Sequence, residues 1–590
     1  MTEDRSPRLQ WTDDGAPRSG RFGDVYFSRE DGLAESRAVF LAGCGLPGAW
    51  SGRERFTVAE LGFGTGLNIA ALLDLWRRER PASGRLHIFS VEAFPLDRDE
   101  ASRALSAWPE LGEAASALLA AWPHPTPGFH RLDLPEFACT LDLAIGEVEW
   151  ALSQWSGRAD AWFLDGFAPS TNPAMWSDAV LDCIAALSAP DARLATFTVA
   201  GAVRRGLAAR GFSVDKRPGH GRKRERLEAR GGRPAPARRT PSVAVVGAGI
   251  AGASLTRAFR DLGVEPTLVE ADAPGAGASG FPASLVTPRL DVGDAGIAAL
   301  FAQALERAGA LYARVPDAIV ARGVLQLEQT PRDAARHARL ADQDIWPAGA
   351  MATLDAAACG QRLGEATDRG GLWMRDALAV RPAAALGTWL RGASLIRATV
   401  AAVERRATGW RLLDAAGETV LEAEAVVLAA GWGTAGLADL PLSPVAGQAD
   451  WVEGVATPPT AWGGYAVPTG SGLLYGATHE RGRTDPKVTA GASETNRATL
   501  TACLPGLAAR VEGARPARAR VAVRATTPDR LPLAGALGDG LFVLGGLGSR
   551  GFCAAPLLAE HVAALSLGAP SPLPLDLAGR VDPRRFGRGL

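Results

Sequence analysis

Residues 242–252 read Ser-Val-Ala-Val-Val-Gly-Ala-Gly-Ile-Ala-Gly, and Ala253-Ser-Leu-Thr-Arg-Ala-Phe-Arg-Asp-Leu-Gly263 follows. A short apolar run enters a G-x-G-x-x-G turn and leaves it as a helix. In such a unit Gly247 makes the tight turn, Gly249 lets a pyrophosphate approach the backbone, and Gly252 lets the helix pack closely on the strand. The positive end of the helix dipole then faces the phosphates. The next apolar run, Pro266-Thr-Leu-Val269, delivers Glu270, 18 residues past Gly252. A carboxylate at that distance accepts a ribose 2′-hydroxyl and repels a 2′-phosphate, so FAD or NAD is expected. FAD is preferred because small residues, Asp272 to Gly280 with Ser279 among them, prolong the phosphate region. A distant segment, Gly545-Gly-Leu-Gly-Ser-Arg-Gly551, is also placed to return to the cofactor through Gly546 and Gly548.

A second glycine turn lies upstream, Glu60-Leu-Gly-Phe-Gly-Thr-Gly66. Residues 55–60 read as a buried strand and 67–79 as the following helix. The expected cradle runs from Glu60 through Gly62, Gly64 and Gly66, because the backbone there must adopt conformations that side chains forbid. A second strand, 86–91, ends in Glu92, placed to accept ribose hydroxyl hydrogens. This cradle fits S-adenosylmethionine. A third strand, 161–164, ends in Asp165-Gly-Phe-Ala-Pro169. An acid at the carboxyl end of a central strand projects into the ligand crevice of an open α/β sheet. Methyl transfer to an amine needs the nitrogen lone pair aligned with the methyl, and Asp165 is placed to hold the N–H groups and receive the departing proton. The competing reading is that Asp165 only caps the next turn.

At 590 residues the chain exceeds one ordinary core and is expected to divide into several domains. Hydrophobic residues at 47% and charged residues at 22% are near globular averages, which argues against disorder. The six cysteines form no C-x-x-C pair, so neither a zinc site nor a disulfide framework is expected and no metal is assigned. No leader-like h-region or membrane-spanning apolar run is evident, and the cytosol is the default expectation. Net charge is −1, yet Arg204 to Arg239 holds thirteen Arg and Lys against Asp215, Glu225 and Glu228. That run reads either as a solvated connector or as a docking place for a phosphate backbone. Residues 226–241 carry the Gly, Pro and Arg content of a linker. The expected division is 1–228, a linker at 229–241, and 242–590.

The segments ELGFGTGLN, SVEAFP, LDGFAPSTNPAMW and the run from Thr196 to Glu225, together with FGDVYFS (22–28) and VFLAGCGL (39–46), resemble the methyltransferase half of the bifunctional MnmC family. That family makes 5-methylaminomethyl-2-thiouridine at the tRNA wobble position. The segments GGYAVPTGSGLLYGATHERG, VRATTPDRLPLAG and LFVLGGLGSRGFCAAPLLAE resemble its oxidoreductase half, of the D-amino-acid oxidase class. The resemblance implies an α/β chain: a Rossmann-like class I methyltransferase domain followed by an FAD-binding Rossmann domain with an inserted mixed-sheet substrate domain.

It further implies that Asp165 is the catalytic acid, that Glu147 faces the adenine of S-adenosylmethionine, and that Arg524 and Arg550 face the substrate of the flavin half. An Arg fork matches a carboxymethyl carboxylate in a bidentate manner. An ion-pair role for either arginine stays open. The implied sequence of reactions is FAD-dependent removal of the carboxymethyl group, then methylation of the exposed amine on tRNA, by a monomer. Three positions depart from the family pattern: Glu147 where Asp is more usual, Phe281 after Gly-Ala-Ser-Gly where Asn is usual, and Ala446 before Gly447-Gln448 where Arg is frequent. The alternative is a fused small-molecule amine oxidase and methyltransferase, which would have no use for the basic run.

Overall fold

The computed structural model describes residues 5–13, 15–27, 32–220, 224–232, 239–514 and 517–587. It divides into two compact units, 1–239 with 569–575, and 240–568 with 576–590. Ser28, and Arg222, Lys223, Arg233 and Arg238 of the basic run, lie outside the described residues.

The first unit is built on an eight-stranded sheet. Its order is Gly128–Leu134, Cys139–Ile145, Arg85–Glu92, Arg55–Leu61, Ala159–Leu164, Ser188–Thr196, Glu225–Arg230 and Ser213–Pro218. The five central strands are parallel, and antiparallel strands close both edges. Side chains of one strand alternate between two cores: Phe56 and Val58 join one cluster, Ala59 and Leu61 the other. The order in which strands are added reverses beside Arg55–Leu61, which pairs in parallel with Arg85–Glu92 on one side and Ala159–Leu164 on the other. Such a switch opens a crevice at the strands' carboxyl ends.

Residues 226–230 correct the sequence reading. Arg and Glu made them resemble linker, yet Glu225–Arg230 is a strand with Leu227 and Ala229 buried. Its alternation of one buried residue per two is the period of a half-covered strand, so the first unit continues past 228. Pairing also absorbs part of the basic run: Arg210 bonds Asp178 and Asp182, Lys216 pairs with Glu225, and Arg226 with Glu228. Arg204 and Arg205 stand exposed on the helix Gly201–Ala209.

The second unit holds a six-stranded sheet in the order Ser394–Arg397, Thr267–Glu270, Val243–Val246, Ala425–Leu428, Leu541–Gly545 and Leu533–Gly538. All neighbours are parallel except the last pair. Between these strands the chain inserts a ten-stranded sheet that mixes antiparallel pairs with one parallel pair, Ile319–Leu327 with Thr460–Ala461. The helices Ile250–Asp261, Ala295–Tyr312 and Gly551–Leu567 are clamped by buried charge: Glu560 accepts from both Arg307 and Arg257. A buried acid that joins two guanidinium groups keeps each charge compensated. Among the described residues, no helix is long and apolar enough to cross a membrane.

Candidate active sites

In the first unit the turn after Arg55–Leu61 holds Gly62, Gly64 and Gly66 at φ of +89°, +53° and +79°. Side chains are strained there, and a Cβ on Gly62 would lie 3.2 Å from the Gly166 backbone. Glu92, at the end of the neighbouring strand, accepts Gly64 N–H on Oε2 and Phe94 N–H on Oε1, both at 2.9 Å. A carboxylate offers about four lone-pair sites. Backbone N–H groups do not exhaust them. Burial raises the Glu92 pKa, and Glu147 adds to the rise. Glu147 itself is exposed at the start of the helix Val148–Gln154, next to the same strand ends.

Asp165 follows the strand Ala159–Leu164 across the switch point, half-buried, and Asn68 Nδ2 donates to its Oδ2 at 2.7 Å. Aromatic rings gather beside it. Phe22 and Phe167 have ring centres 4.8 Å apart, and Tyr26 meets Phe167 edge-on at 5.5 Å. A Cβ on Gly64 would touch the Tyr26 ring at 3.0 Å, so Tyr26 lies over the glycine turn. Burial pushes its hydroxyl pKa up. Sequence reading missed Asn68, Phe22 and Tyr26 as site residues, since none carries a spacing signal.

Glu60 needs correction. Its expected place in the cofactor cradle is not where it lies: it is fully buried and stands behind the turn, accepting from Ser90 Oγ at 2.6 Å. Glu60 is the penultimate residue of a strand covered on both faces, and its side chain is closed off from solvent.

The second unit repeats this construction. Gly247 at φ +108° leaves room for nothing larger, because a Cβ there would meet Ala429 O at 2.6 Å. Gly252 packs so tightly that a Cβ would fall 1.8 Å from Gly247 O. Glu270 accepts Ala248 N–H at 2.7 Å and Asp272 N–H at 3.1 Å, as Glu92 does in the other half. Ser279 Oγ accepts Ile250 N–H at 2.9 Å, capping the helix start, and a Cβ on Gly249 would approach that oxygen to 3.2 Å. Gly247, Gly249, Ile250, Glu270 and Ser279 line a cavity of about 750 Å³ that runs on past Gly546 and Gly548. That volume is within the range of cofactor and ligand sites.

Arg524 and Arg550 both line this cavity, with Tyr465, His479 and Trp462. Neither arginine makes an ion pair among the described residues. Arg550 donates to Thr287 Oγ1, and its desolvation lowers its pKa. Arg524 Nη1 lies 3.4 Å from His479 Nε2, and burial, then Arg524, lowers the His479 pKa. A neutral imidazole can accept from a guanidinium. Phe281 lines the cavity too, with Arg520 5.9 Å from its ring centre, and Ala446 is fully buried in the strand Ser443–Glu453.

A family profile described as an S-adenosyl-L-methionine-dependent methyltransferase matches residues 109–231, and one described as an FAD dependent oxidoreductase matches 242–565. The chain is 56% identical over 589 residues to the tRNA 5-methylaminomethyl-2-thiouridine biosynthesis bifunctional protein MnmC of Caulobacter vibrioides, covering 99% of this chain and 98% of that one. The chain belongs to the MnmC family. The MnmC protein of Maricaulis maris is 46% identical over 98% of this chain and 96% of its own. Iminodiacetate oxidase from Chelativorans sp. BNC1 shares the fold of the second half, with a TM-score of 0.50 at 24% identity over 58% of this chain and 98% of that one. As a member of the MnmC family the chain joins an S-adenosylmethionine-dependent methyltransferase to an FAD-dependent oxidoreductase. Both cradles fit those groups: positive-φ glycines clear the space, and the acid at the end of each neighbouring strand keeps acceptor capacity.

Proposed function

We propose that the chain modifies the wobble uridine of tRNA in two steps, the second unit acting first. The observation that carries this reading is the presence of two nucleotide cradles of one construction in separate units, one beside Asp165 and the other opening on Arg524 and Arg550. The names of the relatives supply tRNA and the product, 5-methylaminomethyl-2-thiouridine, and the substrate in this reading is tRNA bearing a 5-carboxymethylaminomethyl group on 2-thiouridine.

FAD, when bound, supplies the hydride acceptor for the amine's α-carbon. The chain's own residues do the rest. Arg524 and Arg550 grip the carboxymethyl carboxylate, and the enclosing cavity walls keep water from the reacting carbon. Hydrolysis of the imine releases glyoxylate and leaves the 5-aminomethyl group. S-adenosylmethionine, when bound, supplies an electrophilic methyl. Gly62, Gly64, Gly66, Glu92 and Glu147 hold it; Gly247, Gly249, Gly252, Glu270, Ser279, Gly546 and Gly548 hold FAD. Asp165 orients the primary amine through its N–H groups and takes the proton released on methylation.

Nucleoside analysis of tRNA from cells lacking the protein tests the proposal. Accumulation of the carboxymethylaminomethyl base is expected, and an unchanged nucleoside profile would overturn it.

A further inference from the structure

Arg520 stands on the strand Arg518–Thr526, four residues before Arg524, yet it does not line the cavity that Arg524 lines. It forms no ion pair among the described residues. Its guanidinium instead collects the carbonyl oxygens of one loop. Nη1 donates to Gly280 O at 3.3 Å, and Nη2 donates to Gly277 O at 3.1 Å, to Ala276 O and, at 3.5 Å, to Gly275 O. Gly280 admits the guanidinium, because a Cβ there would lie 2.9 Å from Nη2. The Phe281 ring flanks the same cation, 5.9 Å from its central carbon to the ring centre.

In a trans peptide the carbonyl and the following N–H point in opposite directions. Carbonyls of Ala276, Gly277 and Gly280 drawn toward Arg520 therefore turn the N–H groups of Gly277, Ala278 and Phe281 the other way. Those three residues line the cavity, so the loop is a wall with the guanidinium on its outer face and N–H groups on its inner face. None of the three N–H groups has a hydrogen-bond partner among the described residues. The wall adjoins the phosphate turn, since Ser279 Oγ accepts Ile250 N–H at 2.9 Å at the start of the helix Ile250–Asp261. Successive unpaired N–H groups at such a concavity favour anionic oxygens. We propose that Arg520 is a positioning residue for FAD: it holds the carbonyls of residues 276–280 outward and so aims the N–H groups of Gly277, Ala278 and Phe281 at the pyrophosphate. Without the guanidinium these peptides are free to turn their carbonyl oxygens toward the phosphates, which repel them. The proposal rests on FAD filling this cavity.

The full-length chain, freed of flavin, is titrated with FAD and followed by flavin fluorescence, for the unaltered protein, Arg520→Met and Arg520→Lys. ADP and adenosine then compete against FAD. Arg520→Met is expected to weaken FAD and ADP by about tenfold or more and adenosine by less than about twofold, because only the first two carry the anion. Arg520→Lys keeps the charge and loses the fork, so it recovers part of that loss. Unchanged FAD affinity in Arg520→Met would overturn the proposal. So would parallel weakening of FAD, ADP and adenosine, the mark of a loosened fold. Should Arg520→Met fail to fold, the comparison of ADP with adenosine in Arg520→Lys decides: a loss confined to ADP supports the clamp, and equal losses or none overturn it. An unaltered chain that binds no FAD removes the cofactor from this cavity, and the proposal with it.

Discussion

Asn68 Nδ2 and Asp165 Oδ2 lie 2.7 Å apart, which joins the first turn of the helix after the glycines to the end of a strand across the switch point. The bond fixes which face of the carboxylate is left for substrate. Asp165→Ala therefore lowers methyl transfer by about 100-fold or more, the range of a positioned proton acceptor. Asn68→Ala gives a smaller loss, about tenfold, through misorientation. Nucleoside analysis of tRNA from cells carrying Asp165→Ala is expected to reveal the aminomethyl base, since flavin chemistry survives; full methylation there would exclude a catalytic role.

Gly247→Ala places a methyl group 2.6 Å from Ala429 O, at a φ of +108° that side chains rarely adopt. Strain of about 1–3 kcal/mol is concentrated at the phosphate turn. The variant is expected to purify without the yellow flavin absorbance while still methylating tRNA that already carries the aminomethyl base. Retention of flavin at full occupancy would contradict the assignment.

Arg524→Lys keeps the charge and loses the fork. A bidentate charge-assisted contact replaced by a point charge weakens kcat/KM for carboxymethylaminomethyl tRNA by about 10-fold to 100-fold. Steady-state oxidation of that substrate measures the change. Arg550→Lys also leaves Thr287 without its guanidinium donor, so it is expected to be the more disruptive of the two. An unaltered kcat/KM in both variants would remove the arginines from the substrate site.

Acid lability of the first unit follows from Asp142. Arg131 binds it through two contacts of 2.7 Å and His87 lies at 3.2 Å, and although burial opposes ionisation, these partners bring the Asp142 pKa down to about 2. A depressed carboxylate pKa adds stability that is complete above the unfolded value near 4 and disappears as pH falls toward 2. The contribution is about 2 kcal/mol. Asp142→Ala strands a buried guanidinium and destabilises by about 3–5 kcal/mol at pH 7. Denaturant unfolding of the unaltered chain and the variant at pH 7 and at pH 3 measures both effects, with the difference between them shrinking at the lower pH.

The residues that announced themselves in the sequence were those whose chemistry depends on spacing along the chain. Three glycines on a strand-to-helix turn, with an acid at the end of the next strand, are local requirements, so the elements around Gly62 and Gly247 were legible before any fold was known. The helix 67–79 begins and ends where its apolar period does. Tertiary structure alone decided which way each acid faces. Glu60 and Glu92 sit at similar points near strand ends, but one is sealed between helix and sheet while the other opens on the crevice. It also turned the charged residues 226–230 from linker into strand, because partners on both sides supplied backbone hydrogen bonds that composition could not foretell. Asn68, Tyr26 and His479 enter their sites through contacts with residues far away in sequence, and a one-dimensional pattern holds no trace of such distances.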